Sequence, residues 1–365
     1  MFIYLFIIVI SFLFAFLSLD KSIVFSKKKI FYLCTFLSTV LIFVASIRFE
    51  IGFDFFLYRK IFEELPSFFS LFSNMEFEIG YTLFSFIVKL ISNSFQFFLF
   101  VIAITTIILS QKSIIKHSPY PLISMFIYIC FFYFFVVMGQ MRQGLSMAVL
   151  FYSYKYIIKN NFRHFFITVL IASSFHISSL IFLPAYFVVR KKIKVSKILK
   201  AFIAILLINT FLIDYIVKLV HTLYFSNPSS YVLYKFYIYS VHYVGDFSPL
   251  AYYEKIVLAI VIIALYNNKR ILKVIPDFHI ISNIMLLGIF IYMIFIQNFT
   301  VIGARGANNF LAFSVFIYPM FLKSTGKISV KYFIFCLISF YPMIRCLIKL
   351  YSEESYFPFR TFFFV

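Results

Sequence analysis

The chain has 365 residues, of which 63% are hydrophobic and only 13% are charged, yet it carries a net charge of +20. Soluble proteins are typically ~45–50% apolar and about 25% charged, so this composition excludes a disordered chain and a soluble dinucleotide or metal enzyme. The four cysteines show no CxxC or Cys/His spacing, and we therefore expect neither a disulfide framework nor a zinc site.

Apolar segments long enough to cross a membrane recur along the chain. They predict an all-α polytopic membrane protein, with about 10–12 transmembrane helices in a single transmembrane domain over residues 1–365. Ten segments are good candidates, at roughly 2–19, 30–47, 95–111, 119–138, 143–159, 197–220, 251–268, 278–297, 307–322 and 328–347. The first lacks a basic n-region and a small-residue cleavage site, so we do not interpret it as a signal peptide.

Two further apolar segments do not fit a simple span. Residues 76–92 are short and amphipathic, and they predict an interfacial helix on the outer side of the membrane. Residues 164–189 hold His176 and several serines at their centre, and basic clusters flank both ends. A re-entrant or broken helical hairpin keeps both clusters in the cytoplasm and places His176 at its tip.

The basic residues fix the predicted orientation. Most of the 33 lie in loops on one side of the predicted spans, where Asp20 and Asp277 are the only acids. This positive-inside pattern places the KKK cluster at 27–29 in the cytoplasm and the N-terminus outside. The net charge therefore reflects topology, and we expect no nucleic-acid partner. The predicted outer side holds the long loops 48–94 and 221–250 and the tail 348–365.

Ionisable residues are dense where the first outer loop leaves its span. Arg48, Glu50, Asp54 and Tyr58 lie close together, and Gly52 permits a turn between them. Arginine and tyrosine also anchor helices at the membrane interface. Because ionisable groups at membrane depth are by default candidates for function, we treat these four as candidate site residues.

The segment GQMRQGLS is the sharpest polar interruption between two apolar spans. Arg142 and Gln143 lie at the start of the second span. A guanidinium suits bidentate binding of phosphate oxygens, and a helix N-terminus adds backbone N–H donors for an anion. Alternatively, Arg142 forms an ion pair with Glu50 or Asp54 in a tight turn.

Two more positions are candidates on the outer side. His176 can accept a proton from an attacking hydroxyl near neutral pH, or it can hydrogen-bond a neighbouring serine or carbonyl and close the bend. Arg305, flanked by glycines, is predicted to open a late span. Two arginines at outer helix starts, Arg142 and Arg305, would suit the negative charges of a diphosphate. Alternatively, Arg305 anchors its helix at the lipid headgroups. The tyrosine-rich loop with His221, His242 and Asp246 is a weaker candidate for an acceptor site.

These motifs occur in a characteristic order. The chain resembles the EpsG-like family of Wzy-type polysaccharide polymerases in its ordered set of motifs: Arg48-x3-Gly52-x-Asp54-x3-Tyr58, Met141-Arg142-Gln143-Gly144-Leu145-Ser146, Phe175-His176-x-Ser178-Ser179-Leu180 with Pro184 and Tyr186, and Arg305.

The resemblance implies an enzyme that joins oligosaccharide repeat units carried on undecaprenyl diphosphate, outside the bacterial cytoplasmic membrane. Such enzymes need no metal, nucleotide or other cofactor, and O-antigen of lipopolysaccharide is our preferred product over capsule or exopolysaccharide. The implied partners are the lipid-linked oligosaccharide and the bilayer, and a polysaccharide chain-length regulator is a further candidate. The absence of a Walker motif is consistent with this, because the lipid–diphosphate bond already stores the energy.

We therefore expect an inverting glycosyl transfer without a metal. Arg142 and Arg305 hold the diphosphate, His176 or, less favourably, Asp54 or Glu50 takes the acceptor proton, and Arg48 pairs with Asp54 to shape the cavity. Gln143 and Tyr58 contribute to substrate binding. The alternatives are a polytopic glycosyltransferase that adds single sugars to a lipid carrier, a repeat-unit flippase, and an acyltransferase that modifies the glycan.

Overall fold

The structure is a computed structural model that describes residues 2–20, 25–65, 77–241 and 248–364. Helices account for nearly all regular structure in these ranges, and the β-pairing found there is one isolated bridge between Arg48 and Thr361. The prediction of an all-α polytopic membrane protein is confirmed. By contacts the chain divides into two compact units, and the single domain over 1–365 stays a prediction.

The first unit comprises residues 1–180 and 314–365. Its helices are α1 (Phe2–Leu17), α2 (Lys27–Ile47), α3 (Phe55–Glu63), α4 (Ile79–Ile91), α5 (Phe95–His117), α6 (Pro121–Tyr128, continuing as a π-helix over Ile129–Met138), α7 (Met141–Ile158) and α8 (Phe162–Phe175). Helices near the C-terminus complete this unit, namely α17 (Ser314–Phe321) and α18 (Ile328–Ser352).

The second unit comprises residues 181–313. A 3-10 helix over Ile177–Phe182 leads into it from the first unit. Its helices are α9 (Ala185–Val188), α10 (Val195–Phe211), α11 (Ile213–Ser226), α12 (Tyr231–Val241), α13 (Pro249–Leu265), α14 (Lys269–Val274), α15 (Phe278–Phe295) and α16 (Thr300–Leu311).

Five of the described helices are long and apolar enough to cross a membrane, namely α2, α5, α6 with its π-helical continuation, α15 and α18. The bent pair α10 and α11 is a sixth candidate, and four shorter apolar helices accompany them. The structure therefore supports a multi-pass protein, and the count of about 10–12 spans stays a prediction.

Two predicted spans are broken. The segment 197–220 is a candidate span made of two helices, because α10 ends at Phe211 and α11 starts at Ile213 with a bend of 63°. Asp214 lies in the first turn of α11, where a carboxylate favours a new helix start. The segment 307–322 is likewise divided between α16, which starts at Thr300, and α17.

The interruption at His176 is confirmed. Helix α8 ends at Phe175, and His176 has extended backbone angles before the 3-10 helix begins at Ile177. The serines around it favour such a break, because their side chains compete for backbone hydrogen bonds. A return of the chain as a membrane hairpin stays a prediction.

An aromatic core fixes the first outer loop in the first unit. Phe55, Phe62 and Phe98 lie in one buried cluster that joins α3, α4, α5 and α7, and the rings of Phe62 and Phe98 are 4.9 Å apart. Lys89 donates to the carbonyl oxygen of Phe62 at 2.9 Å and so satisfies the C-terminal end of α3. The same cluster includes residues near the starts of α4 and α7, so these two helix starts pack near each other.

Candidate functional site

Three charged or titratable side chains meet at helix ends in the first unit. Glu78 immediately precedes α4, Arg142 is the second residue of α7, and His176 follows α8. One carboxylate oxygen of Glu78 accepts a hydrogen bond from Arg142 Nη1 at 2.5 Å, and the other lies 3.2 Å from His176 Nδ1. We call Glu78, Arg142 and His176 the outer triad, after the predicted side of the membrane.

Glu78 is an anion within this triad. Burial alone would raise the pKa of its carboxyl, but the hydrogen bond with His176 and the charge of Arg142 outweigh burial and hold the pKa at about 2. The backbone N–H of Ile177 also donates to the carboxylate at 3.1 Å. Glu78 therefore stays ionised near neutral pH and joins the start of α4 to the break after α8.

The carboxylate decides which nitrogen of His176 carries a proton. An ionised carboxylate only accepts hydrogen bonds, so Nδ1 must be the donor towards Glu78. In the neutral ring the lone pair then lies on Nε2, which is buried and has no hydrogen-bond partner within the described part of the chain. His176 as a whole is 7% exposed. This is the arrangement of a histidine base oriented by a carboxylate.

Arg142 is held from several directions. Its guanidinium lies 3.8 Å from the centre of the Phe77 ring, and its side chain is hydrogen-bonded to Tyr58. The anionic partner of Arg142 that the structure shows is Glu78, in place of the Glu50 or Asp54 considered from the sequence. Glu50 instead accepts a hydrogen bond from Arg360 at 2.7 Å.

Arg48 lies in the protein interior and is 1% exposed. Its guanidinium donates to the carbonyl oxygen of Ala45 at 3.2 Å and to the sulfur of Met141 at 3.0 Å. Arg48 thus connects the end of α2 to the residue before Arg142. Its predicted pairing with Asp54 stays a prediction.

The C-terminal segment holds the first outer loop in place. The backbone N–H of Phe49 donates to the backbone carbonyl oxygen of Arg360 at 3.1 Å. The backbone N–H of Gly52 donates to the backbone carbonyl oxygen of Ser355 at 2.9 Å. Gly52 has a φ of 112°, a backbone conformation that favours glycine. A Cβ at this position would lie 3.0 Å from the backbone carbonyl oxygen of Met138. The turn predicted at Gly52 is therefore confirmed, and it packs tightly against the chain that leads into α7.

No group of three or more His, Cys, Asp or Glu side chains that could hold a metal ion occurs in the ranges that the structure describes. Metal independence of the reaction stays a prediction.

The comparison with known families decides the class of protein. The family model described as the EpsG family matches residues 29–361, which is nearly the whole chain. The chain belongs to the EpsG family. Membership supports a membrane glycosyltransferase-type polymerase in polysaccharide biosynthesis, and it confirms the resemblance found in the motifs. No curated protein and no solved structure matches the chain.

The structure of this EpsG-family protein brings some predicted site residues together. Tyr58, Arg142 and His176 meet around Glu78. Gln143 is buried beside Arg142 on α7, and Asp54 is partly exposed just before α3. Glu50 lies in the loop held by the C-terminal segment.

Arg305 belongs to the second unit. It was predicted to open a span, but α16 begins at Thr300, so Arg305 lies in the middle of that helix. The first turns of α16 pack closely on the end of α15, where a Cβ on Gly303 would lie 2.9 Å from the backbone nitrogen of Ile296. Of the weaker acceptor-site candidates, His221 lies on α11, and His242 and Asp246 lie outside the described residues.

Sequence reasoning missed Glu78. The sequence groups it with the amphipathic residues of an interfacial helix; the helix itself is found as α4, and its interfacial position stays a prediction. The available signal was a carboxylate directly before an apolar helix on the predicted outer side, in a chain whose acids are few. Its partners lie 64 and 98 residues away, and sequence spacing does not reveal such contacts.

Close packing at Gly80 sets the position of Glu78. A Cβ on Gly80 would lie 2.7 Å from the carbonyl oxygen of Ser174, two residues before His176. Gly80→Ala should push α4 away from α8, displace Glu78 from Arg142 and His176, and lower polymer yield by about ten-fold. Glycan yield at matched protein level measures this. Gly306→Ala is the matched control, since a Cβ there meets only ordinary contacts; equal yields from both variants would contradict the prediction.

The ion pair of Glu78 predicts a pH-dependent stability. Because the folded-state pKa of about 2 lies below the ordinary value of 4.5, ionised Glu78 stabilises the fold above the ordinary value and loses that effect as pH falls towards the folded value. Thermal unfolding of the detergent-solubilised protein should show wild type more stable than Glu78→Gln at pH 7. That difference should shrink between pH 4.5 and 3. A constant difference would contradict the assignment of the shift to Glu78.

Proposed function

We propose that this EpsG-family protein joins undecaprenyl-diphosphate-linked oligosaccharide repeat units, in the manner of an O-antigen polymerase, on the outer face of the bacterial cytoplasmic membrane. The observation that carries the proposal is the outer triad, in which an ionised carboxylate orients a buried histidine beside an arginine. The charge distribution of the sequence supports an outward-facing site, because all three residues lie at helix ends on the side poor in basic loops.

His176 is the proposed base. The acceptor hydroxyl oxygen attacks the anomeric carbon of the donor glycan, and the bond between that carbon and the diphosphate oxygen breaks. The hydroxyl proton passes to His176 Nε2, and the bonding electrons leave with undecaprenyl diphosphate. Attack opposite the leaving group inverts the anomeric centre. Glu78 stabilises the imidazolium that forms, as a carboxylate does in a catalytic triad.

Arg142 is the proposed contact for the diphosphate. Its guanidinium carries five N–H donors in a fixed plane, so it can hold Glu78 and still present donors to a phosphate oxygen. Its Nε is buried and lacks a hydrogen-bond partner in the part of the chain that is described. Positive charge at this place offsets the charge that develops on the leaving group. A phosphate-binding role for Arg305, in the second unit, stays a prediction from the sequence.

Substitutions of Arg142 distinguish the contribution of its positive charge from that of its planar set of N–H donors. Arg142→Ala should lower polymer formation by about 10²–10³-fold, the typical cost of removing one group that stabilises developing charge. Arg142→Lys keeps the charge but loses the planar fork, so it should retain an intermediate rate. The rate of polymer formation in membranes at matched protein level measures both. Arg59→Ala is the control, because Arg59 pairs with Glu63 on an exposed helix face; equal losses from Arg59→Ala and Arg142→Ala would contradict the assignment.

A surface-glycan gel from a deletion strain tests the proposed function. A ladder that collapses to a single repeat unit, and that returns with wild type but not with Arg142→Ala, would support the polymerase. Loss of every repeat unit would favour a glycosyltransferase that adds single sugars or a flippase. An unchanged ladder would overturn the proposal.

A further inference from the structure

A second buried polar cluster lies wholly within the second unit. The side-chain amide of Asn209 on α10 donates to the hydroxyl of Tyr252 on α13 at 3.3 Å and to the carbonyl oxygen of Met293 on α15. Asn209 is 7% exposed, and its Oδ1 has no hydrogen-bond partner among the residues that the structure describes. A buried acceptor without a hydrogen bond lowers the stability of the fold, so its presence requires an explanation.

An ion pair lies beside this amide. Lys255 Nζ is 2.8 Å from Glu254 Oε1, and both side chains are only 10% exposed. Lys255 is three residues from Tyr252 and so shares its face of α13. Its ammonium lies 5.7 Å from the centre of the Tyr292 ring, which directly precedes Met293. The cluster thus joins three helices through an amide, an ion pair and two tyrosines.

All members lie at the same end of their helices. Asn209 is near the C-terminal end of α10, Tyr252 and Lys255 are near the start of α13, and Tyr292 is near the end of α15. By the charge pattern of the loops this is the predicted outer end. Helix α10 also breaks three residues after Asn209, and broken helices at membrane depth occur where they are buried in protein or line a wet cavity.

The chemistry of the cluster favours a neutral, hydroxyl-rich ligand. Lys255 and Glu254 carry opposite charges 2.8 Å apart, so each offsets the attraction of the other for a charged ligand. A carboxylate and the free amide oxygen accept hydrogen bonds, while an ammonium and tyrosine hydroxyls donate them, and a sugar hydroxyl does both. Tyrosine rings add flat apolar faces against which a pyranose can pack.

We propose that the Asn209–Tyr252–Glu254–Lys255 cluster is a carbohydrate-binding subsite that holds a neutral sugar of the lipid-linked substrate. This inference rests on the proposed function, because it assumes a glycan substrate on the outer face. A purely structural ion pair explains the cluster less well. Replacing buried ion pairs by apolar residues is often neutral or stabilising, and ionisable residues at membrane depth are by default candidates for function.

Saturation-transfer NMR with the free repeat-unit oligosaccharide tests this subsite. The probe, released from its lipid by mild acid, carries no diphosphate and therefore reports sugar contacts alone. Wild type and Arg59→Ala should both saturate the sugar protons, whereas Lys255→Met, Glu254→Gln and Tyr252→Phe should each lower the signal at least three-fold. Tyr253→Phe is the control, because Tyr253 is 63% exposed. Lys255→Arg should recover part of the signal.

The outcomes separate the subsite from the proposed function. Equal sugar signals from wild type and the three cluster variants would overturn the subsite, even where the polymer ladder depends on Arg142. Loss of signal in the cluster variants without any polymerase activity in wild type would support sugar binding and reject the proposed reaction. Tyr252→Phe removes a single hydroxyl, so it keeps the test decisive if a charged-residue variant fails to fold.

Discussion

Replacement of His176 by alanine is expected to reduce polymer formation by at least about 100-fold while the protein stays in the membrane at its normal level. A positioned general base typically contributes 10²–10⁴-fold to a rate. The imidazole is the proposed proton acceptor. Its Nε2 is buried and has no hydrogen-bond partner among the residues that the structure describes. The measurement is the rate of polymer formation in membranes with equal amounts of each variant.

Two further variants distinguish loss of the proposed base from misfolding of the protein. His176→Gln retains a hydrogen bond to Glu78 but cannot accept a proton near neutral pH, so it should be as inactive as alanine. His164→Ala is the matched control, because His164 lies at the opposite end of α8 and is exposed. Polymer formation by His176→Gln within about three-fold of wild type would show that His176 is not the base.

Glu78→Gln should reduce the rate by about 10²–10⁴-fold. The amide can offer its NH₂ group to Nδ1, and this favours the wrong tautomer and leaves the imidazolium without its anion. It also removes the anionic partner of Arg142. Kinetics at saturating lipid-linked substrate should show a fall in kcat. Glu63→Gln is the control, since Glu63 is half-exposed and pairs with Arg59 in an exposed i, i+4 arrangement; an equal effect of both variants would contradict a specific role of Glu78.

A double variant distinguishes the two roles of Arg142. If Arg142 only neutralises Glu78, then adding Arg142→Ala to Glu78→Gln should cost nothing more. If it also binds the diphosphate, the double variant should be slower than Glu78→Gln alone and should show a higher KM for the lipid-linked substrate. Such a cycle is informative here because the two residues are in direct contact.

The sequence predicted the features that depend on local pattern. Long apolar runs locate helices such as α2, α5 and α15, because crossing a bilayer requires about 20 apolar residues. The serine-flanked His176 marks a break, and Gly52 marks a turn that the structure shows with a positive φ. Arg142 at the start of α7 followed from a polar interruption between two apolar runs.

The features that depend on tertiary contact escaped sequence analysis. Glu78 becomes important only because the packing of Gly80 on Ser174 brings α4 to the end of α8. Asn209 and Lys255 lie on different helices, and hydropathy averages such single polar residues away within a span. The break at Leu212 interrupts an almost uniformly apolar run, which hydropathy alone describes as one helix.

Polymer synthesis by the purified protein tests the proposed reaction most directly. Proteoliposomes would receive the isolated lipid-linked repeat unit alone, without nucleotide sugar or ATP, and the products would be resolved by length. We predict products of two or more repeat units on one lipid carrier, with undecaprenyl diphosphate released, from wild type but not from His176→Gln or Glu78→Gln. A single repeat unit that remains unchanged with wild type, or equal products from wild type and both variants, would contradict the account.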